Sequence, residues 1–331
     1  MKIFVTGAEG FVGSHLVEEL VHRQHEVTAL CQYNSFNSRG WLDSIPAKAL
    51  DNVRVVVGDI RDAGLIRQMV EGHSRVAHLA ALIAIPYSYA APASYIETNA
   101  LGTLNVLEAC RAAAVEKVIH TSTSEVYGTA QYVPIDEKHP LAGQSPYSAS
   151  KIAADQVAFS YWTSFELPVT IIRPFNTYGP RQSQRAFIPS AMIQLMSGAP
   201  EIRLGSLDPT RDLTFVSDTA RGFADALESD EGLGETFNMG SGFEVSMKTV
   251  LDTLMRITDR SPTITVDQQR MRPEASEVER LWSDSSKMTQ TFGWKPQFSG
   301  LDGLARGLDL THEWLKHNVG ASGYVSGEYV V

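Results

Sequence analysis

An α/β fold, a doubly wound parallel sheet followed by a smaller C-terminal α/β lobe, is what this 331-residue sequence predicts. Three observations predict it. Short runs rich in Val and Ile alternate with longer segments of helical periodicity through the first half, as the strands and crossover helices of a parallel sheet do. A glycine-rich turn joins the first such run to the first helical segment. After Pro174 the composition shifts to a stretch rich in Pro, Gly, Arg and Ser, and the regular alternation ends.

The elements follow in order. "KIFVT" at 2–6 is the first strand and "FVGSHLVEELVHR" the first helix. "EVTAL" and "VRVVV" are the second and third strands, with "AGLIRQMVEG" helical after them. "RVAHLAA" is the fourth strand, "ASYIETNALGTLNVLEACRAA" a helical segment, and "KVIHTS" the fifth strand. "PYSASKIAADQVAFSYWTSF" has helical spacing and leads to the sixth strand, "PVTIIRP". About six strands in doubly wound order place a ligand beyond their carboxyl ends. "TSTSEVYG" at 121–128 lies at such an end, that of the fifth strand. Beyond residues 174–213, "SDTARGFADALES" returns to helical spacing and "TFNMG" is another short strand. From about Ser246 two or three helices alternate with the strand "TITV". Residues 1–177 with about 211–245 are expected to form the first domain, and about 178–210 with 246–318 the smaller lobe. Residues 319–331, without helical periodicity, form a tail.

Composition excludes several classes. The net charge is −10 and no run of Lys or Arg exceeds two residues, so nucleic acid finds no basic surface to follow. The two cysteines, Cys31 and Cys110, lie far apart in apolar or helical contexts, which fits a reducing compartment and rules out a thiolate metal site of the usual spacing; no metal is expected. The apolar stretch in "MKIFVTGAEG" is too short for the core of a signal peptide, and no later stretch is long enough to span a bilayer. The expectation is a soluble cytoplasmic protein.

In "VTGAEGFVGSHL", Gly7 can make the tight turn, Gly10 lets backbone approach a pyrophosphate, and Gly13 lets helix and strand pack closely. In "PYSASK", Tyr147 and Lys151 stand four apart on one helix face. A tyrosine with a pKa near 10 is a poor base at neutral pH, but a neighbouring ammonium and any further positive charge beside the ring favour the phenolate. Bringing it to neutrality takes roughly 4 kcal/mol of such stabilisation.

The Gly-x-x-Gly-x-x-Gly spacing and the Tyr-x-x-x-Lys pair resemble the short-chain dehydrogenase/reductase family, specifically the extended branch that acts on nucleotide sugars with a Rossmann domain. The resemblance implies bound NAD or NADP. It assigns Gly7, Gly10, Phe11, Val12 and Gly13 to the pyrophosphate turn and Asp59 and Ile60, after the third strand, to the adenine. Leu79, Ala80 and Ala81 would line the nicotinamide side, with Asn99, Tyr147 and Lys151 completing the cofactor set; Asp59 could otherwise cap the helix that follows. That branch usually carries an acid at the end of the second strand to hold the adenosine ribose. Here that place is near Cys31 and Gln32 and holds neither acid nor Arg, although Arg39 downstream could reach a 2′-phosphate. NAD, slightly favoured, and NADP both stay open. His78 is read as packing.

The resemblance makes Thr123 the hydroxyl that aligns the sugar alcohol, Tyr147 its base and Lys151 the electrostatic support. Glu125 has no task in simple dehydrogenation or 4-epimerisation, but a 4,6-dehydratase needs a base at carbon 5. Many dehydratases read Thr-Asp-Glu; this chain reads Thr-Ser-Glu with Ser124 in the acid's place, as GDP-mannose 4,6-dehydratases do, and as UDP-glucuronate decarboxylases also do. "CQYNSFNSRGWLD", "ALIAIPYSYAAP" and "RPFNTYGPRQ" resemble bacterial NDP-N-acetylglucosamine 4,6-dehydratases of the legionaminic-acid type over nearly the whole chain. The resemblance implies an NDP-sugar substrate, held through Asn176, Arg211 and Arg272, and a homodimer built on the helices at Asn99–Ala113 and Tyr147–Phe165. Guanidinium groups suit a diphosphate bidentately.

Overall fold

Near-continuous runs of Val and Ile suit strands covered by helices on both sides, and the strands of the first half are buried along most of their length except the edge strand at 53–58. The computed structural model describes residues 1–270 and 273–319. In chain order its strands are β1 (Lys2–Thr6), β2 (Glu26–Gln32), β3 (Val53–Gly58), β4 (Arg75–His78), β5 (Lys117–Thr121), β6 (Val169–Pro174), β7 (Asn176–Tyr178), β8 (Glu201–Leu204), β9 (Thr210–Phe215), β10 (Thr236–Met239), β11 (Glu244–Ser246) and β12 (Thr263–Val266). Seven of them form one parallel sheet in the order β10-β6-β5-β4-β1-β2-β3. The chain order reverses between β1 and β4, which opens a crevice at their carboxyl ends.

The sheet has seven strands rather than about six because "TFNMG" pairs in register with β6, Thr236 opposite Ile171 and Met239 opposite Pro174. The helices Phe11–His22 and Val216–Glu228 cover one face; there Leu16, Leu20, Phe223 and Leu227 share a core with Ile3, Val5 and Phe237. The helices Ala63–Val70, Gly102–Ala112 and Pro146–Phe165 cover the other, around Phe4, Val76, Val118 and Ile171. A capping box fixes where the last of these begins: Ser145 accepts from the Ser148 N–H while Ser148 Oγ accepts from the Ser145 N–H.

The smaller lobe has its own core, in which Met192, Ile202, Leu213, Val250, Leu251 and Leu308 pack together. Its sheets are β11-β9-β7 and β12-β8. Thr210–Phe215, grouped by the sequence with the first domain, is therefore in a separate sheet: β9 lies parallel to β7 and antiparallel to β11. Among the described residues no helix is long and apolar enough to cross a membrane.

Candidate active site

The glycine turn has the geometry its residues imply. Gly7 sits at φ +67°, and a Cβ there would come within 2.8 Å of the Ala80 backbone. A Cβ on Gly13 would stand 2.0 Å from the Gly7 carbonyl, so only glycine lets the helix lie this close to the turn. Gly10 is the N-cap residue and supplies no side-chain cap, which leaves the first-turn N–H groups around Phe11 and Val12 open to an anion. Ala80 is fixed against this turn by its N–H, which donates to Thr6 Oγ1 at 3.1 Å, and Leu79 by its N–H on the Thr6 carbonyl. This cradle, which a Cβ would fill, fits a dinucleotide pyrophosphate.

Asp59 is not the cap of the next helix; Asp62 is, accepting from the Leu65 N–H at 3.0 Å. Asp59 instead faces Arg61, whose Nε and Nη2 reach its carboxylate, and these hydrogen bonds hold its pKa below the usual carboxylate value. Ile60 is buried against Gly102. Asn99 is fully buried and pins the segment after Ala81: its amide exchanges hydrogen bonds with the backbone of Leu82 and donates to Ser150 Oγ. His78 is buried between Thr6 Oγ1 at 2.8 Å and Thr103 Oγ1 at 3.0 Å, and burial drives its pKa well down. Arg39 is paired with Asp43, Nε to Oδ1 at 2.7 Å.

"TSTSEVYG" leaves β5 at Thr121 and turns at once. Thr123 accepts from the Glu125 N–H at 3.2 Å and so caps a 3₁₀ turn at Ser124–Tyr127. The turn buries Ser124 and Glu125, with Glu125 7% exposed. From the helix Pro146–Phe165 comes Tyr147, equally buried, whose hydroxyl bonds Thr123 and lies near enough to Glu125 to feel its charge. Thr123, Glu125 and Tyr147 thus share one buried corner at the carboxyl end of β5. Lys151, one turn on, donates to the Thr121 carbonyl at 2.7 Å, and burial lowers its pKa to about 8.

The lowering of the Tyr147 pKa is expected from an ammonium together with a bound cationic ring, and the protein's own groups act on the phenol in both directions. Burial pushes the phenol well above its ordinary value, the Thr123 hydrogen bond lowers it, and Glu125 raises it again. Lys151 donates to the Thr121 carbonyl, and a cationic group bound beside the ring would favour phenolate further.

Beneath this corner lies a charged network absent from the sequence reading. Asp155 is 1% exposed; it accepts from Ser122 Oγ at 2.8 Å and from Arg173 Nη2 at 3.0 Å, and pairs with His120 Nε2 at 3.2 Å. Burial alone would raise its pKa, but these partners hold it below the usual value. Arg173 continues through Nη1 to the Tyr127 hydroxyl, which donates to Asn238. Tyr147, Lys151 and Asp155 stand four apart in succession, so the helical spacing that marks the first two extends to the third.

At the lobe side, Asn176 opens β7, and its Oδ1 is a buried acceptor without a partner among the described residues, as a residue awaiting a ligand hydroxyl or amide would have. Arg211 on β9 is buried and reaches the Glu279 carbonyl and Glu277 Oε1, which ties it to the segment facing Thr129 and Gln144. Arg272 and the tail from 320 onward lie outside the described residues. Among the described residues one group, Asp309, His312 and Glu313 on the C-terminal helix, brings possible metal-ligand atoms within 4.8 Å, two of the three residues being exposed.

A glycine cradle at the switch point of a parallel sheet, facing a buried Thr, Tyr and Lys set, defines an extended short-chain dehydrogenase/reductase. More narrowly, the chain belongs to the GDP-mannose 4,6 dehydratase family, whose model matches residues 4–306. It is 32% identical over 323 residues to a dTDP-glucose 4,6-dehydratase of Actinoplanes sp., covering 96% of this chain and 98% of the relative. A UDP-glucose 4-epimerase of Mycolicibacterium smegmatis is 33% identical over 315 residues, covering 94% and 98%. Among solved structures, DesIV, a dTDP-glucose 4,6-dehydratase from Streptomyces venezuelae crystallised with NAD, superposes with a TM-score of 0.85 at 32% identity over 97% of this chain and 98% of that one. A UDP-glucuronic acid 4-epimerase from Bacillus cereus, in complex with UDP-glucuronic acid and NAD, gives 0.84 at 27% identity over 96% and 99%.

Proposed function

We propose that this protein is a nucleotide-sugar 4,6-dehydratase that converts an NDP-N-acetylhexosamine, UDP- or GDP-linked, to its 4-keto-6-deoxy product. One observation carries the choice over 4-epimerisation: Glu125 is buried in the same corner as Thr123 and Tyr147, and dehydration needs a base at carbon 5 whereas epimerisation at carbon 4 does not. Held at the glycine turn, NAD(P)+ would supply the hydride acceptor for carbon 4 and the hydride donor for carbon 6, with carbon 5 regaining a proton from Tyr147 or solvent. Thr123 aligns the carbon 4 hydroxyl and Tyr147 removes its proton. The carbon 4 ketone acidifies the proton on carbon 5, Glu125 removes that proton, and the carbon 6 hydroxyl leaves as water. Ser124 orients or relays at the leaving oxygen, and Glu125, protonated by its first step, is the donor within reach. Lys151 keeps positive charge near Thr121, and Asn176 and Arg211 hold the sugar nucleotide.

The carbohydrate would serve a bacterial surface glycan or a nonulosonic acid, made in the cytoplasm. Ile96, Leu101, Phe159 and Phe165, each about half exposed along the paired helices, supply the apolar face for a homodimer. Incubation with UDP-, GDP- and dTDP-linked hexoses and N-acetylhexosamines, followed by mass spectrometry and NMR, should give loss of one water with no net consumption of dinucleotide. Release of carbon dioxide from a UDP-uronate, or a product that keeps its carbon 6 hydroxyl, would replace this reading with decarboxylation or epimerisation.

A further inference from the structure

The end of β2 lacks an acidic residue, yet a carboxylate is there. Glu9, in the glycine turn between Gly7 and Gly10, reaches across so that its Oε1 accepts from the N–H of Gln32, the last residue of β2, at 2.9 Å. Its second oxygen, Oε2, is buried and has no hydrogen-bond partner among the described residues. The side chain is held in place by its surroundings. The Trp41 N–H donates to the Glu9 carbonyl at 3.0 Å, and Gly40, at φ +57°, lies so close that a Cβ there would fall 2.9 Å from the Glu9 Cβ. The loop between β2 and Gly40 is itself tied off by Asn34, which accepts from the Phe36 and Ser38 N–H groups and donates to the Ser38 carbonyl. Burial raises the Glu9 pKa, against the lowering effect of the Gln32 N–H and its own N–H.

We propose that Glu9 is the acid that accepts hydrogen bonds from the adenosine ribose and thereby sets the protein's preference for NAD over NADP. In a doubly wound sheet whose glycine turn holds the pyrophosphate, the ribose lies beside the end of the second strand, and an acid there selects the free 2′-hydroxyl. An ionised carboxylate only accepts, so the ribose diol supplies the donors that Oε2 lacks. A 2′-phosphate would set like charge against Glu9, and the cation nearby in sequence, Arg39, is already paired with Asp43. The assignment comes from the glycine turn rather than from β2, which is why a search for an acid at residues 31 and 32 does not find it.

The inference rests on the reading of the glycine turn as a dinucleotide site, and the test separates the two. Nucleotide released by denaturing the purified protein is identified by mass spectrometry. The nucleotide-stripped protein is then titrated calorimetrically with NAD+ and NADP+ in the absence of sugar. Wild type should release NAD and bind NAD+ the more tightly. Glu9→Gln, with an unchanged melting transition as the folding control, should lose about 10- to 100-fold in NAD+ affinity, the loss typical of hydrogen bonds to a charged group, and bring the two dinucleotides close together. Arg39→Ala should leave NAD+ affinity unchanged. An unaltered NAD+ to NADP+ ratio in Glu9→Gln, or a wild-type preference for NADP+ abolished by Arg39→Ala, would overturn the role of Glu9 while leaving the dinucleotide site intact. Binding of neither dinucleotide would overturn both.

Discussion

The Glu125 charge makes the Tyr147 phenolate costlier, so the tyrosine is expected to act as base at carbon 4 and Glu125 at carbon 5 in separate steps. Glu125→Gln should retain the dinucleotide, still oxidise carbon 4, and lose water elimination by roughly 10²- to 10⁴-fold, the usual contribution of a positioned base. Nicotinamide fluorescence during a single turnover and deuterium exchange at carbon 5 check the two halves separately. A second prediction concerns Lys151, whose pKa burial lowers from 10.5 to about 8. The folded protein then binds fewer protons than the unfolded chain between those values, so this residue's contribution to stability rises as pH increases through that window. Urea unfolding of wild type and Lys151→Met should show wild type gaining on the variant between about pH 7.5 and pH 10. The Thr123, Tyr147 and Lys151 set was legible because a strand end and an i, i+4 pair are local patterns. Asp155 was legible in principle, continuing the same face, but its partners His120 and Arg173 come from two other strands. The contact of Glu9 with Gln32 arises only when turn and strand pack.

The element with the most to hold together is β9. From it Asp212, fully buried, accepts from the N–H and Oγ of Ser241, from the Gly242 N–H and from the Ser283 N–H. Asp212→Asn puts an NH₂ group where an acceptor stood and leaves at least one of these donors unmatched, at a cost of about 1–3 kcal/mol. A lowered midpoint in denaturant, with dinucleotide affinity retained, is the expected result, since Asp212 joins β9 to the lobe and not to the glycine turn. The strands of the main sheet were readable as Val- and Ile-rich runs, whereas β9 was not assigned to its sheet from its residues. "TRDLTF" carries a charged pair, and both charges are buried only because Glu277, Ser241 and Ser283 arrive from later in the chain. Short β7 and β11 have the same difficulty: at three residues each, they have too little pattern to be read.

For the whole molecule, light scattering is expected to give a dimer, and Leu101→Asp combined with Phe159→Asp to give a folded monomer, because both side chains are about half exposed on the helices proposed to pair. A strict monomer in the wild type would contradict the pairing. The order of the seven-stranded sheet has a further consequence, for synthesis. β10 closes one edge, and the helix Val216–Glu228 covers a face whose core already holds Ile3, Val5 and Leu16. Neither element exists until more than two thirds of the chain has been made, so a nascent chain ending at residue 177 presents an uncovered apolar face and a strand, β6, paired with β5 but open along its other edge. Such a fragment should aggregate when expressed alone and become soluble when the segment 211–245 is supplied. The protein is therefore expected to depend on chaperones while it is being translated, and to lose that dependence only near completion.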